Sequence, residues 1–69
     1  MSYVSENVRA ALFFKRIKCK DAAEQLGVRP STFSHKLNGI SPFSIEEIIA
    51  VHELTGVSYD ELFKKGNVA

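Results

Sequence analysis

The sequence predicts an all-α protein, a compact five-helix domain, and three observations lead to this fold class. The chain has 69 residues, of which 45% are hydrophobic, and its formal net charge is only +1. These values fit one folded domain, because disordered chains combine low hydrophobicity with high net charge. Apolar residues recur at helical spacing, and the four glycines separate segments that lack the alternation of hairpin strands.

The first predicted helix spans about residues 5–17, and the second spans about residues 20–26. Helix 1 has an apolar face formed by Val4, Val8, Ala11 and Leu12, with the alkyl stem of Lys15 extending it. Helix 2 ends at Gly27, because glycine readily adopts the left-handed conformation that terminates a helix. Both helices are therefore amphipathic segments of ordinary length that can share one core.

The third predicted helix spans about residues 30–37. Pro30 suits its first position, where a missing backbone N–H costs nothing and the proline ring already fixes a helical φ. Arg29 is then the capping residue, for which arginine is a poor choice. Phe33 and Leu37 lie one turn apart and should face the core. The outward side chains are then Ser31, Thr32, Ser34, His35 and Lys36.

The fourth and fifth predicted helices span about residues 44–54 and 59–64. Ser44 to Glu47 has the form of a capping box, in which serine and glutamate exchange hydrogen bonds across the first turn. Ser58 to Glu61 repeats this pattern, and Gly56 and Gly66 mark the helix ends. The apolar face of helix 4 is predicted to contain Ile45, Ile48, Ile49 and His52. His52 is therefore expected to be a partly buried structural residue.

Several classes of protein do not fit this chain. One cysteine, Cys19, cannot form an internal disulfide, which favours a reducing, cytoplasmic setting. No apolar run approaches the roughly 20 residues that cross a bilayer. The cysteine and the two histidines lack zinc-ligand spacing, and no nucleophile and base or phosphate-binding glycine loop is recognisable. We therefore expect a cytoplasmic protein that is not an enzyme, with no cofactor, no metal and no small-molecule substrate.

Residues 19–39 have the layout of a helix-turn-helix motif. Two short helices are joined by a turn at Gly27, and the small Ala22 and Ala23 permit their close crossing. Leu26 and Val28 supply apolar anchors on either side of the turn. The sequence therefore predicts that helices 2 and 3 form this motif.

Here the chain resembles the lambda-repressor-like helix-turn-helix family, which includes Cro proteins, phage repressors and Xre-type regulators. The resemblance covers nearly the whole chain and is carried by 21–28, 31–39 and the Gly-Val-Ser-x-x-Glu-Leu-Phe pattern of 56–63. It implies a phage or prophage transcriptional regulator that binds an operator in double-stranded DNA through helix 3 in the major groove. It also implies a homodimer, formed in solution or only on DNA, in the bacterial cytoplasm or nucleoid.

The chain departs from this family at several positions. Cys19 and Pro30 stand where the family often has a pair of glutamines, of which the first contacts phosphate and braces the second. His52 stands where a small alanine is common, and Thr55 stands where leucine is common. These differences affect the DNA contacts more than the fold.

The charges are unevenly distributed along the chain. Residues 9–38 contain seven basic and two acidic side chains, a net charge of +5, whereas residues 39–63 contain five acidic side chains and no lysine or arginine. A basic motif face would attract phosphates, and an acidic far side would limit indiscriminate binding. Charged side chains that merely solvate a small surface are the alternative explanation of this pattern, and the coincidence of the basic segment with the helix-turn-helix layout favours nucleic-acid binding.

The outward residues of helix 3 and its flanks are candidate DNA contacts. The candidates for base contact are Arg29, Ser31, Thr32, Ser34 and His35. The candidates for phosphate contact are Lys18, Cys19, Lys20, Lys36, Asn38 and Ser41. Arg29 can either contact a phosphate of the DNA backbone or form two hydrogen bonds with a guanine base. Asn38 has a second expected role as the cap of helix 3.

A protein interface is the remaining candidate site. Phe13 and Phe14 are adjacent in a helix, so they point in different directions, and we expect one to pack and the other to be exposed. The interface candidates are Phe14, Tyr59, Leu62 and Val68. Residues 64–69 are a segment that could support a dimer, and residues 65–69 are expected to form a flexible tail. A protein-interaction adaptor or antirepressor with the same fold is the alternative function.

Overall fold

The computed structural model describes residues 3–65, which form five helices. They are α1 (Tyr3–Phe14), α2 (Cys19–Leu26), α3 (Pro30–Leu37), α4 (Ile45–Thr55) and α5 (Tyr59–Leu62). No strand occurs between residues 3 and 65, so the predicted compact all-α, five-helix fold is confirmed. None of these helices combines the length and the apolar character needed to cross a bilayer. Gly66, Val68 and most of the predicted tail lie outside the described residues.

The capping signals place the starts of α4 and α5 where the sequence predicts them. Ser44 Oγ accepts a hydrogen bond from the Glu47 backbone N–H at 3.1 Å, and Glu47 Oε1 accepts one from the Ser44 N–H at 2.8 Å. Ser58 Oγ accepts from the Glu61 N–H at 3.2 Å, which is one half of such a box. Gly56 ends α4 with φ +74°. Serine caps and a left-handed glycine therefore set the bounds of α4 and the start of α5.

Helix α1 ends three residues before the position that the sequence predicts. Arg16 adopts a left-handed conformation, with φ +57°, although it is not a glycine. The chain then turns back, and the Ile17 N–H donates to the Leu12 carbonyl at 2.9 Å. Ile17 packs against the core as a partly buried side chain. Burial of Ile17 and the satisfied Leu12 carbonyl offset the strain at Arg16.

The core lies where α1, α2, α3 and α4 meet, with α5 covering one end. Its buried apolar residues are Val8, Ala11, Leu12, Ala22, Ala23, Phe33, Leu37, Ile48, Val51 and Leu62. In α4 the buried residues are Ile48, Val51 and Thr55, which recur at i, i+3 and i+7. The prediction that Ile45 and Ile49 share this buried face is wrong, because both are exposed.

Two buried polar residues of α1 tie the ends of other helices to it. Ser5 Oγ donates to the carbonyl of Lys36 in α3 at 2.7 Å. Asn7 Nδ2 donates to the carbonyls of Leu62 and Lys64, at 2.9 and 2.8 Å. The last carbonyls of a helix have no partner within it, and these bonds give the Leu62 and Lys64 carbonyls a partner and add a second donor to the Lys36 carbonyl, which also accepts from the Gly39 N–H. They also hold the C-terminal ends of α3 and α5 against α1.

Candidate nucleic-acid interface

Helix α3 presents one face to the core and the other to solvent. Phe33 and Leu37 are buried, as predicted, and the Phe33 ring packs edge-on against Phe43 with ring centroids 6.0 Å apart. On the opposite face the exposed side chains are Ser31, Thr32, Ser34 and His35. The inner residues therefore hold the helix in place, and four short polar side chains remain free to contact a ligand.

Basic side chains lie beside the start of this face. A shallow depression between α2 and α3 is lined by Lys20, Glu24, Val28 and Pro30, so Lys20 lies near the first residue of α3. Arg29, which precedes that residue, is exposed. At the start of α2, Lys18 and Cys19 are exposed as well. The structure thus brings together candidates from the starts of both helices.

The N-terminal ends of α2 and α3 carry no side-chain cap. Lys18 and Arg29 occupy the capping positions in extended backbone conformations, and neither side chain accepts from the first turn. Pro30 removes one of the N–H groups from α3. The first-turn N–H groups of α2 are consequently left to solvent or to an anion, for which a helix N-terminus is a favourable place.

Lys36 differs from the other predicted contacts, because its side chain is not free. Its ammonium forms an ion pair with the Glu47 carboxylate, and both side chains are mostly buried. The prediction that Lys36 points outward with the rest of α3 is therefore corrected. Burial by itself raises the pKa of Glu47, but the bond to Lys36 and the bonds with Ser44 outweigh burial and lower it. A phosphate contact by Lys36 stays a prediction and requires this pair to open.

The segment after α3 folds back on the helix end. The Ile40 N–H donates to the His35 carbonyl at 2.9 Å, and Gly39 has φ +79°. Asn38 occupies the capping position with its side chain exposed, and Ser41 is half-buried. Asn38 therefore takes its predicted capping position, while phosphate contacts by Asn38 and Ser41 stay predictions.

The unevenness of charge in the sequence is retained on the surface. Within residues 3–65 the Lys36–Glu47 pair is the only ion pair. The exposed basic side chains without an acidic partner in this range are Arg9, Lys15, Arg16, Lys18, Lys20, Arg29, Lys64 and Lys65. The exposed acidic residues of α4 and α5 are Glu46, Glu53, Asp60 and Glu61. Positive charge is thus available along the C-terminal half of α1, at the starts of α2 and α3, and after α5.

His52 has the structural role that the sequence predicts. Its Nδ1 lies 2.7 Å from the Val57 carbonyl, and its ring stacks on Tyr59 with centroids 4.1 Å apart. The side chain is half-buried. It therefore joins α4 to α5, and one face of the Tyr59 ring is already occupied.

One of the four interface candidates is excluded by the structure. Leu62 is fully buried in the core, so it cannot contact a partner while the protein is folded, and that prediction is wrong. Val68 lies outside the described residues. Tyr59 is half-exposed and stacked on His52. Both Phe13 and Phe14 are exposed, so the expectation that one of them packs is also wrong.

Two residues and one ion pair that help to place α3 and α5 were not predicted from the sequence. Ser5 and Asn7 are polar residues among the buried positions of α1, and Glu47 binds both a cap and a lysine. Polar residues at core positions of a helix are usually hydrogen-bonded, so the spacing of Ser5 with Val8 was an available signal. The identity of their distant partners had no local signal.

Among residues 3–65 no group of three or more histidine, cysteine, aspartate or glutamate side chains is close enough to hold a metal ion.

Comparison with known proteins leaves the family unassigned. No family model matches the chain, and no curated protein or solved structure matches it significantly.

Proposed function

We propose that this protein is a sequence-specific regulator of transcription that binds double-stranded DNA, as the resemblance to lambda-repressor-like proteins implies. In this proposal α2 and α3 form the helix-turn-helix, and α3 lies in the major groove. The observation that carries it is the outer face of α3. Four exposed polar side chains lie on a helix anchored by Phe33 and Leu37, and beside its start lie Lys20 and Arg29, which have no acidic partner among residues 3–65.

Base reading falls to the N-terminal part of α3. Ser31, Ser34 and His35 are exposed there, and each can donate or accept a hydrogen bond at a base edge. Thr32 can also contact a thymine methyl group. Arg29 offers two parallel donors, which match the two acceptors of guanine or the oxygens of a phosphate. A good bidentate contact discriminates by about 1 to 3 kcal/mol, so Arg29 is the strongest candidate for specificity.

Phosphate binding falls to the start of α2 and the loop after α3. Lys18 and Lys20 are exposed on either side of Cys19 and have no ion pair within the described part of the chain, and the backbone of Cys19 lies in the uncapped first turn of α2. Asn38 and Ser41 lie at the other end of α3. These groups flank the reading face at both ends, which suits the contacts that fix a protein on the duplex. Lysine contacts to phosphate release counterions, so affinity should fall steeply with salt.

Regulation would then follow from occupancy alone. A bound protein that covers a promoter blocks or redirects polymerase without any chemistry of its own. Two copies on a two-fold operator would place their α3 helices about one helical turn, roughly 34 Å, apart. The acidic side chains of α4 and α5 would face away from the DNA and weaken non-specific binding.

The direct test is selection of bound sequences from a random duplex pool at about 0.15 M salt, where non-specific binding is already weakened. We expect an enriched motif, with Arg29→Ala lowering affinity for it at least about tenfold and Ser34→Ala changing the preferred bases. Lys64→Ala removes an exposed charge from the far end of the chain and is the matched control. Recovery of no motif by folded protein would overturn the proposal in favour of the adaptor function.

A further inference from the structure

The C-terminal half of α1 has an exposed aromatic and basic surface. Phe13 is 86% exposed and Phe14 is 77% exposed, so the core uses neither ring. Lys15 Nζ lies 5.6 Å from the centroid of the Phe14 ring, and Arg9 lies one helical turn before Phe13. We call Arg9, Phe13, Phe14 and Lys15 the Phe face. Adjacent exposed phenylalanines on a small protein are typical of a surface that binds a partner.

The outer side of α4 has a second exposed apolar surface. Ile45 is 68% exposed and Ile49 is 40% exposed, although both lie on a regular helix that buries Ile48 and Val51. Glu46 and Glu53 are exposed beside them. We call Ile45, Glu46, Ile49 and Glu53 the Ile face. It has the same composition as the Phe face, two apolar and two charged side chains, but the opposite charge.

We propose that the Phe face of one copy binds the Ile face of a second copy. Opposite charges favour this contact, since Arg9 and Lys15 meet carboxylates while the phenylalanines cover isoleucines. Contact between two Phe faces would instead bring four basic side chains together, and contact between two Ile faces would bring four carboxylates together. Charge therefore favours the mixed contact strongly over contact between two Ile faces, and less strongly over contact between two Phe faces, because Glu61 lines the same depression as Phe13 and Phe14.

The order of residues on the two helices also specifies their direction. On α1 the charge of Arg9 precedes Phe13 by one turn, whereas on α4 the charge of Glu53 follows Ile49 by one turn. One turn of four residues advances about 6 Å along either helix. Antiparallel helices thus place Arg9 beside Glu53 and Phe13 beside Ile49. Phe14 lies about 100° further round α1, so it borders this contact on the side of Ile45.

This contact is modest in strength and does not rest on the proposed DNA binding. A stable interface buries about 800 Å² on each partner, and the accessible surface of the chain is 4837 Å². Two phenylalanines and two isoleucines provide only part of such an area, so association is expected at high micromolar concentrations and above. Because each copy has both faces, further copies can add in series unless two copies satisfy each other.

Sedimentation of the purified chain without DNA tests the contact. We expect the average mass to rise above 7.7 kDa between about 10 µM and 1 mM. Phe14→Ser and Ile49→Ser should each lower the association constant at least about tenfold. Ile40→Ser is the matched control, because Ile40 is 69% exposed and lies in neither face. A wild-type chain that stays monomeric up to about 1 mM would overturn the proposal.

Mixing experiments distinguish the two-face contact from contact between like faces. A Phe13→Ser/Phe14→Ser chain has lost only its Phe face, and an Ile45→Ser/Ile49→Ser chain has lost only its Ile face. Each should be monomeric alone, and the mixture should form a one-to-one complex. Arg9→Glu should weaken self-association, and adding Glu53→Arg to the same chain should restore it. No complex in the mixture, or no effect of the isoleucine changes, would refute the assignment.

Discussion

Replacing Glu47 by glutamine isolates the charge that holds the end of α3. The amide oxygen of the new side chain can still accept from the Ser44 N–H, so the change removes the ion pair with Lys36 and keeps the cap. Exposed pairs contribute up to about 1 kcal/mol, and breaking a fully buried pair costs about 3 to 5 kcal/mol. The Lys36 and Glu47 side chains are 16% and 12% exposed, which places the expected loss between these limits, at about 1 to 2 kcal/mol.

The pH dependence of that loss follows from the lowered pKa of Glu47. A carboxyl whose pKa is lower in the folded state stabilises the fold above its unfolded value of about 4.3, and this stabilisation disappears as pH falls through the folded pKa. Wild type should therefore exceed Glu47→Gln in stability at pH 7, with the difference shrinking below about pH 4. At pH 7 the loss corresponds to a decrease in Tm of about 5 to 15 °C for a domain of this size.

Thermal and urea unfolding followed by circular dichroism measure both quantities. Glu46→Gln is the matched control, because Glu46 lies in the same helical turn and is exposed without an ion pair in the described part of the chain. Equal losses of stability from the two changes at pH 7 would show that the loss comes from the interaction of a carboxylate with the helix dipole and not from the ion pair. A Glu47→Gln effect that is the same at pH 7 and pH 3 would refute the linkage argument.

Four further changes have defined outcomes. Ser44→Ala should lower the free energy of unfolding by about 1 kcal/mol in urea titrations, since it removes the cap of α4. Gly56→Ala should cost about 1 to 2 kcal/mol in the same assay from its φ of +74° alone, because an added Cβ meets nothing within 4 Å. Asn7→Ala removes two hydrogen bonds and should cost about 1 to 3 kcal/mol, with faster amide exchange in α5 before global unfolding. Lys36→Ala should lower the salt slope of DNA binding by about one if Lys36 leaves its carboxylate for a phosphate, and an unchanged slope would show that it does not.

Local signals in the sequence predicted most of the helix bounds. Pro30, Ser44 and Ser58 mark helix starts because each acts through its own turn, and Gly27 and Gly56 mark ends because their left-handed φ is a property of glycine. The buried face of α3 was also predictable from local sequence, because Phe33 and Leu37 are one helical turn apart and therefore lie on the same side of the helix.

Features that depend on distant residues were not predictable. Ser5 and Asn7 bond to carbonyls 31 and 55 residues away, and nothing near them in the chain indicates those partners. Arg16 is left-handed because tertiary packing of Ile17 offsets its strain. At the candidate site, helical periodicity predicted which residues of α3 are exposed. The ion pair between Lys36 and Glu47 was not predictable, because it depends on how α3 packs against α4.

The attachment of α3 has a consequence for how this protein can diverge. Helix α3 is held in place by the buried Phe33 and Leu37 side chains. It is also held by Lys36, whose carbonyl accepts a hydrogen bond from α1 and whose ammonium pairs with a carboxylate of α4. Its exposed positions between them make no contact on which the core relies. Substitutions there are therefore nearly neutral for stability, so new surface chemistry can arise on α3 by single mutations without compensating changes elsewhere.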